Sequence, residues 1–294
     1  MPVMRAATIR DGSLLVEDHP DPVAGPGQLL IRVRAAGVNN ADLAQVAGRY
    51  PAPEGAPPDI PGLECAGETG DGRRVMALLA GGGQAELVVV DERHVLELPP
   101  QLDWAQAGGF MEAFCTAHDA LFTQAQLQAG ERLLVNGAAG GVGVAAVQLG
   151  LDAGAKVTAN ARQHHDELRT LGADTEIQGE YDVILELVGG DNLARNLELL
   201  AGRGRVVVIG MGAGRKAEID FGLLMSRRGR ISSSTLRSRS ADEKVKVIHR
   251  LATLDLGRFQ VPVEATFPLE QVADAYARFA AGGKFGKVVV TFGT

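Results

Sequence analysis

The sequence predicts an α/β protein in which a β-rich domain accompanies a doubly wound parallel sheet, and three stretches carry that prediction. Residues 131–162, ERLLVNGAAGGVGVAAVQLGLDAGAKVTANAR, pass from an apolar run (Leu133, Leu134, Val135) through Gly137, Gly140, Gly141 and Gly143 into a small-residue helical pattern, then into a second apolar run at Val157. Residues 1–100 hold short apolar runs separated by turn residues. The chain ends on a strand near Phe267, a helix over 269–279 and a last strand over 287–291.

In chain order, strands are expected at 5–9, 14–17, 28–36, 73–79 and 85–90. Asp11-Gly12 and the segments 22–27 and 81–83 break them, and Asp71-Gly72 is a tight-hairpin signal. A helix is expected from Ala41 to Ala47, followed by a proline-rich loop over 49–61 that is too stiff for a helix or an inner strand. Asp103 to Gln106 and Ser240 to Glu243 are capping boxes, the second opening a helix to about Leu254. A helix over 112–126 leads into the dinucleotide-type unit, which continues with strand 181–187, helix 192–200 and strands 205–209 and 230–233.

One spacing is anomalous. A third parallel strand belongs at 174–177, yet the next begins at Tyr181. Three residues span roughly 10 Å, whereas a parallel crossover needs about a dozen residues. The third strand is therefore expected to be missing or vestigial, with its crossover helix absent.

Strand, glycine turn, helix and strand make up the first unit of a dinucleotide-binding fold. Gly140 removes a Cβ where the backbone must approach a pyrophosphate, and Gly143 is expected to let the helix sit close on the sheet. Ala138 stands where the commonest fingerprint has its first glycine; Gly141 and Val142 complete the turn. The helix N-terminus offers N–H groups and a positive dipole end to the phosphates. An acid at the end of the second strand would select NAD, but none occurs before Asp166. Arg162, with His164 or His165, can instead meet a 2′-phosphate, so the expected cofactor is NADP(H).

The 294 residues predict about two domains. A net charge of −7 argues against nucleic acid and acidic membrane as partners. Cys65 and Cys115 provide neither a disulfide framework nor a zinc set. With no signal-peptide core and no apolar run approaching ~20 residues, a cytoplasmic protein is expected.

Several segments together carry a resemblance: GVNNADLAQVAGRYPAPEGAP (37–57), PGLECAG (61–67), ALLAGGGQAELVVV (77–90), GAAGGVG (137–143), 215–240 and GKVVV (286–290). Over its whole length the chain resembles the zinc-independent quinone oxidoreductases of the medium-chain dehydrogenase/reductase superfamily, and within them the p53-inducible subgroup. The resemblance implies a GroES-like catalytic domain made by both chain ends (1–115 and 262–294) and an inserted Rossmann NADP-binding domain (116–261). Zinc-containing relatives place ligands at positions held here by Asn39, Leu63 and Glu112, so no metal is expected.

The resemblance also implies roles. Asn39 lies near the nicotinamide and Tyr50 is the active-site tyrosine. Thr116 reaches the cofactor. Gly210 and Met211, then Ser234, Thr235 and Leu236, hold the nicotinamide ribose and carboxamide, and Lys287 lies near the cofactor. His118 replaces an aromatic common in relatives. The implied activity is NADPH-dependent reduction of a quinone, with enone reduction as an alternative and a non-catalytic structural or RNA-binding role as a third reading. A homodimer paired through the edge strand over 230–234 is expected.

Overall fold

The computed structural model describes residues 2–293 and divides into two compact units, Met1–Glu112 with Leu236–Thr294, and Ala113–Thr235. The second division falls at 235/236, not at the 261/262 expected from sequence. The reason lies in the helix Ala241–Leu251, whose first residue packs on the first unit: the His94 ring Nε2 is 3.1 Å from the Ala241 carbonyl.

The first unit begins with β1 (Val3–Arg10) and β2 (Ser13–Pro20), an antiparallel hairpin. Asp11 and Gly12, at φ 50° and 76°, make its two-residue turn, whose left-handed backbone matches the twist of the strands. There follow β3 (Gln28–Gly37), α1 (Asn40–Val46), β4 (Glu64–Thr69), β5 (Arg74–Leu78), β6 (Leu87–Asp91), β7 (Val95–Glu97) and α2 (Trp104–Gly108). The Asp71-Gly72 signal does join a hairpin, β4 to β5. Only Gly72 is left-handed there (φ 83°), so the turn is longer than the one at Asp11-Gly12. The capping box at Asp103 forms as expected: its side chain accepts from Gln106 N–H at 2.8 Å and the Gln106 side chain accepts from Asp103 N–H at 3.0 Å.

α3 (Met111–His118) crosses into the second unit and continues as a π-helical segment over Asp119–Gln124. Next come β8 (Arg132–Asn136), α4 (Gly141–Asp152), β9 (Lys156–Asn160), α5 (His165–Thr170), β10 (Tyr181–Glu186), α6 (Asn192–Glu198), β11 (Leu200–Val208), α7 (Phe221–Arg227) and β12 (Arg230–Ser233). Back in the first unit lie α8 (Ala241–Leu251), β13 (Val263–Pro268), α9 (Val272–Ala280) and β14 (Lys287–Thr291). β11 starts earlier than expected because residues 200–204 form an irregular entry, with a register shift against β10 and Arg203 at φ 67°.

Both chain ends build the first unit's sheet, in the order β13-β14-β3-β4-β5-β7, with β6 also on β3. β14 pairs antiparallel with β3 (Val289 opposite Gly37), and α9 lays Val272, Ala275, Tyr276 and Phe279 onto the core formed with Ile31, Val33, Val288 and Val290. The second unit is a five-stranded sheet, β12-β11-β10-β8-β9, with every pairing parallel. Its third strand is vestigial, as the spacing predicts. Asp174 makes one parallel bridge to Thr158, with Ala159 N–H donating to its carbonyl at 2.7 Å. The fully buried Tyr181 hydroxyl fastens the short connection, donating to Thr158 Oγ1 at 3.2 Å and accepting from Gln178 N–H at 3.1 Å.

Candidate active site

In the second unit all strands are parallel, so the loops that follow them share one sheet edge. That edge carries Ala138 and Gly140 to Gly143 after β8, Arg162 and His164 after β9, Gly210 and Met211 after β11, and Ser234 and Thr235 after β12. It is the edge where open α/β sheets bind ligands.

The turn after β8 fits a dinucleotide phosphate. Gly140 is the N-cap residue of α4, and the first N–H groups of that twelve-residue helix have no partner within it. A Cβ at Gly140 would meet only Gly137 O at 3.7 Å, so the space beside its backbone is open for a ligand. Gly143 plays a different part from the one expected. A Cβ there would strike the turn's own backbone, 2.6 Å from Ala138 Cα. Gly150 is the residue that brings the helix onto the sheet, since its Cβ would lie 2.7 Å from Leu133 Cδ2.

Arg162 is exposed just beyond β9, and among the described residues it makes no hydrogen bond or ion pair. His164 is left-handed (φ 69°), with Nδ1 2.8 Å from Glu167 Oε1, and His165 Nε2 is 2.9 Å from the Ala161 carbonyl. The first acid, Asp166, accepts from Arg169 at 2.7 Å. Met211 is half exposed, and the Ser234 hydroxyl donates to Asp119 Oδ2 at 2.8 Å. Thr116 is half-buried on α3, and the His118 ring packs on Phe122 with centroids 4.7 Å apart.

Behind the turn lies a buried carboxylate that sequence reading missed. Glu186, at the end of β10, is 0% exposed. Its Oε1 accepts from Val188 and Gly189 N–H (2.6 and 2.8 Å), and its Oε2 accepts from the amides of Asn136 and Asn196 (2.8 and 2.7 Å). Asn160 in turn donates to Asn136 Oδ1 at 2.7 Å. The ends of three neighbouring strands are thereby tied into one polar network.

Leu236, Tyr50, Asn39 and Lys287 belong to the first unit. Asn39 and Lys287 come together there, beside a third residue, Glu64, that sequence reading did not single out. Lys287 Nζ donates to Asn39 Oδ1 at 2.7 Å and to Glu64 Oε1 at 2.6 Å, and Asn39 Nδ2 donates to the same Glu64 oxygen at 3.0 Å. Glu64 Oε2 accepts from Glu112 N–H at 2.8 Å. Lys287 is 3% exposed and Glu64 fully buried, so the lysine spends its charge inside the unit. Asn39 is the N-cap residue of α1, where the Asp42 carboxylate accepts its N–H at 2.8 Å and the N–H of Gly62 at 3.1 Å. Burial pushes the Asp42 carboxyl up to about 6, against those two hydrogen bonds and the Lys287 charge, which hold it down.

Tyr50 lies under an arginine. The Arg237 guanidinium carbon is 5.0 Å from the Tyr50 ring centroid, and Nη1 donates to the Tyr50 carbonyl at 3.2 Å. A zinc ion does not suit the positions that bind it in relatives: Leu63 has no donor atom, and the Asn39 amide is held by Lys287 and Glu64. Among the described residues no group of three or more His, Cys, Asp or Glu side chains could hold a metal ion.

Two family models match the chain: the alcohol dehydrogenase GroES-like domain over residues 25–100 and the zinc-binding dehydrogenase over residues 153–290. The chain is 31% identical to the quinone oxidoreductases of Homo sapiens and Lama guanicoe, each over 94% of this chain and 92% of the relative. A crystal structure from Mycobacterium abscessus, described as a probable oxidoreductase, superposes with a TM-score of 0.83 at 30% identity, covering 99% of both chains. No helix among the described residues is long and apolar enough to cross a membrane. With its GroES-like sheet, its five-stranded Rossmann sheet and these relatives, the chain belongs to the zinc-independent quinone oxidoreductase family of the medium-chain dehydrogenases/reductases, oxidoreductases that use a nicotinamide cofactor.

Proposed function

We propose that this oxidoreductase reduces quinones with NADPH. The observation that carries the cofactor half is Arg162, an exposed and unpartnered cation at the end of β9 where no acid stands ready for a ribose hydroxyl. The quinone half draws on the relatives' names together with the chemistry of the Tyr50 region. When bound, the nicotinamide supplies a hydride; with one proton from water, a quinone becomes a hydroquinone and the cofactor leaves oxidised. The protein's share is to bind and orient. The N-terminus of α4 takes the pyrophosphate and Arg162 the 2′-phosphate. The Tyr50 hydroxyl hydrogen-bonds the reduced oxygen, a weak base that needs no strong acid. Enone reduction is the competing activity.

The test follows nicotinamide absorbance on mixing with an ortho-quinone, with NADPH and NADH in parallel and a chelator present. Rapid loss with NADPH, insensitive to the chelator, is expected. Tyr50→Phe should lower kcat about 10- to 100-fold. Arg162→Ala should raise KM for NADPH by about tenfold or more, through loss of a charged hydrogen bond, and leave KM for NADH alone. Equal rates with both cofactors would discard the 2′-phosphate assignment. Turnover of an α,β-unsaturated ketone but not a quinone would move the activity to double-bond reduction.

We also propose that β12, the outer strand of its sheet, pairs with a second copy; the neighbouring α7 leaves Phe221 and Met225 68% and 75% exposed. A monomeric mass in light scattering would rule this out.

A further inference from the structure

Arg237 directly follows the segment 234–236. Its side chain is 5% exposed. Three of its N–H groups go to neutral oxygens: Nε to the Ala80 carbonyl at 2.8 Å, Nη1 to the Tyr50 carbonyl at 3.2 Å and Nη2 to Gln45 Oε1 at 2.6 Å. Gln45 is itself fixed, donating to the Pro58 carbonyl at 3.2 Å. Among the described residues no carboxylate oxygen lies within 4.0 Å of the guanidinium.

Packing does not explain this choice of residue. A buried cation is costly unless a counter-charge accompanies it. Here burial lowers the guanidinium's hold on its proton below its ordinary strength, with only more distant help from Tyr50, Asp42 and Glu112. A guanidinium nonetheless stays charged. Its hydrogen bonds join α1, the proline loop and the turn after β5, which explains a clamp. They do not explain the charge, which among the described residues no carboxylate pairs directly.

Reduction of a quinone creates the missing charge. A hydride brings two electrons and one proton, so the accepting molecule carries an oxyanion until a second proton arrives from water. We propose that Arg237 is a positioning residue for this step: it locks the Tyr50 segment in place, and its charge, bonded directly only to neutral oxygens and buried against the Tyr50 ring, stabilises the oxyanion that the Tyr50 hydroxyl hydrogen-bonds. The inference rests on the proposed quinone reduction.

The experiment compares wild type, Tyr50→Phe, Arg237→Met, Arg237→Lys and the double variant Tyr50→Phe/Arg237→Met in the NADPH and ortho-quinone assay. Arg237→Met should lower kcat about 10- to 100-fold while KM for NADPH stays unchanged. Arg237→Lys, which keeps the charge but not the planar fork, should recover part of the loss. In the Tyr50→Phe background the ring remains and only the hydroxyl is gone, so Arg237→Met should cost less than about threefold more. Losses that simply multiply in the double variant, or Arg237→Lys no better than Arg237→Met, would reduce Arg237 to a structural clamp and overturn the inference. If Arg237→Met does not fold, Arg237→Lys in the two Tyr50 backgrounds makes the same comparison. Failure of wild-type turnover, or a Tyr50→Phe variant equal to wild type, overturns the proposed function and this inference with it. Wild-type turnover and a Tyr50→Phe loss beside unaffected Arg237 variants overturn this inference alone.

Discussion

Each unit buries one glutamate completely, and the two are stabilised in opposite ways. Glu64 has a lysine, Lys287, 2.6 Å away. Glu186 has no cation within 4.0 Å among the described residues; two backbone N–H groups and two asparagine amides surround it. The first arrangement balances charge across sequence-distant strands. The second spreads one negative charge over oriented dipoles, and in doing so sets the backbone of the loop after β10. The difference teaches that burial alone says little about a carboxylate. What matters is whether its partner is a charge that can be removed or a set of dipoles that can rotate.

The largest effect expected is from Lys287→Met, which strands Glu64 as a buried unpaired charge and should cost about 3–5 kcal/mol in denaturant unfolding. Adding Glu64→Gln should return most of that loss, because the pair is then removed together. A double variant as unstable as the single one would break the charge-balance account.

A smaller effect concerns Asp42, whose carboxyl is pushed to about 6 by burial. The unfolded chain releases this proton near pH 3.9, and the native state keeps it until about 6. The native state therefore binds more protons between these values. This contribution to stability is complete below about pH 4, falls as pH rises, and is gone above about 6; it amounts to about 2–3 kcal/mol. Melting temperature against pH should show that decline in wild type and lose it in Asp42→Asn. A parallel pair of curves would remove Asp42 from the comparison.

The smallest effect should come from Glu186→Gln, at about 1 kcal/mol. The new amide oxygen still accepts from Val188 and Gly189, and the Asn136, Asn196 and Asn160 amides can flip together, so that oxygens face the new NH₂ group and the chain of hydrogen bonds among them is kept. If Glu186→Gln destabilised the protein as much as Lys287→Met, the contrast between dipoles and a counter-charge would fail.

What the sequence made legible was local. The glycine turn, the capping boxes at Asp103 and Ser240 and the missing crossover before Tyr181 all depend on residues a few positions apart, where propensity and chain length decide the outcome. The division at 235/236, the role of Gly150 and the partnership of Glu64 with Lys287 were not legible. Each depends on which distant segments the topology brings into contact, and no periodicity encodes that. Resemblance singles out Asn39 and Lys287, but only the fold gives them a common partner in Glu64. Arg237 lay inside a matched motif, and its meaning comes from Gln45, Tyr50 and Ala80, all far away in the chain.

The pairing of β14 with β3 has a consequence for synthesis. The second unit is one continuous segment, Ala113–Thr235, and holds all five of its strands once residue 235 has left the ribosome. The first unit begins earlier but lacks the neighbour of β3 until Val289 to Thr291 emerge opposite Ala35 to Gly37. About 250 residues separate the two segments, so at about 5–20 residues per second the Ala35–Gly37 end of β3 waits roughly 10–50 seconds for its partner, while β4 and β6 already pair with the rest of the strand. The host domain, translated first, is the last to close.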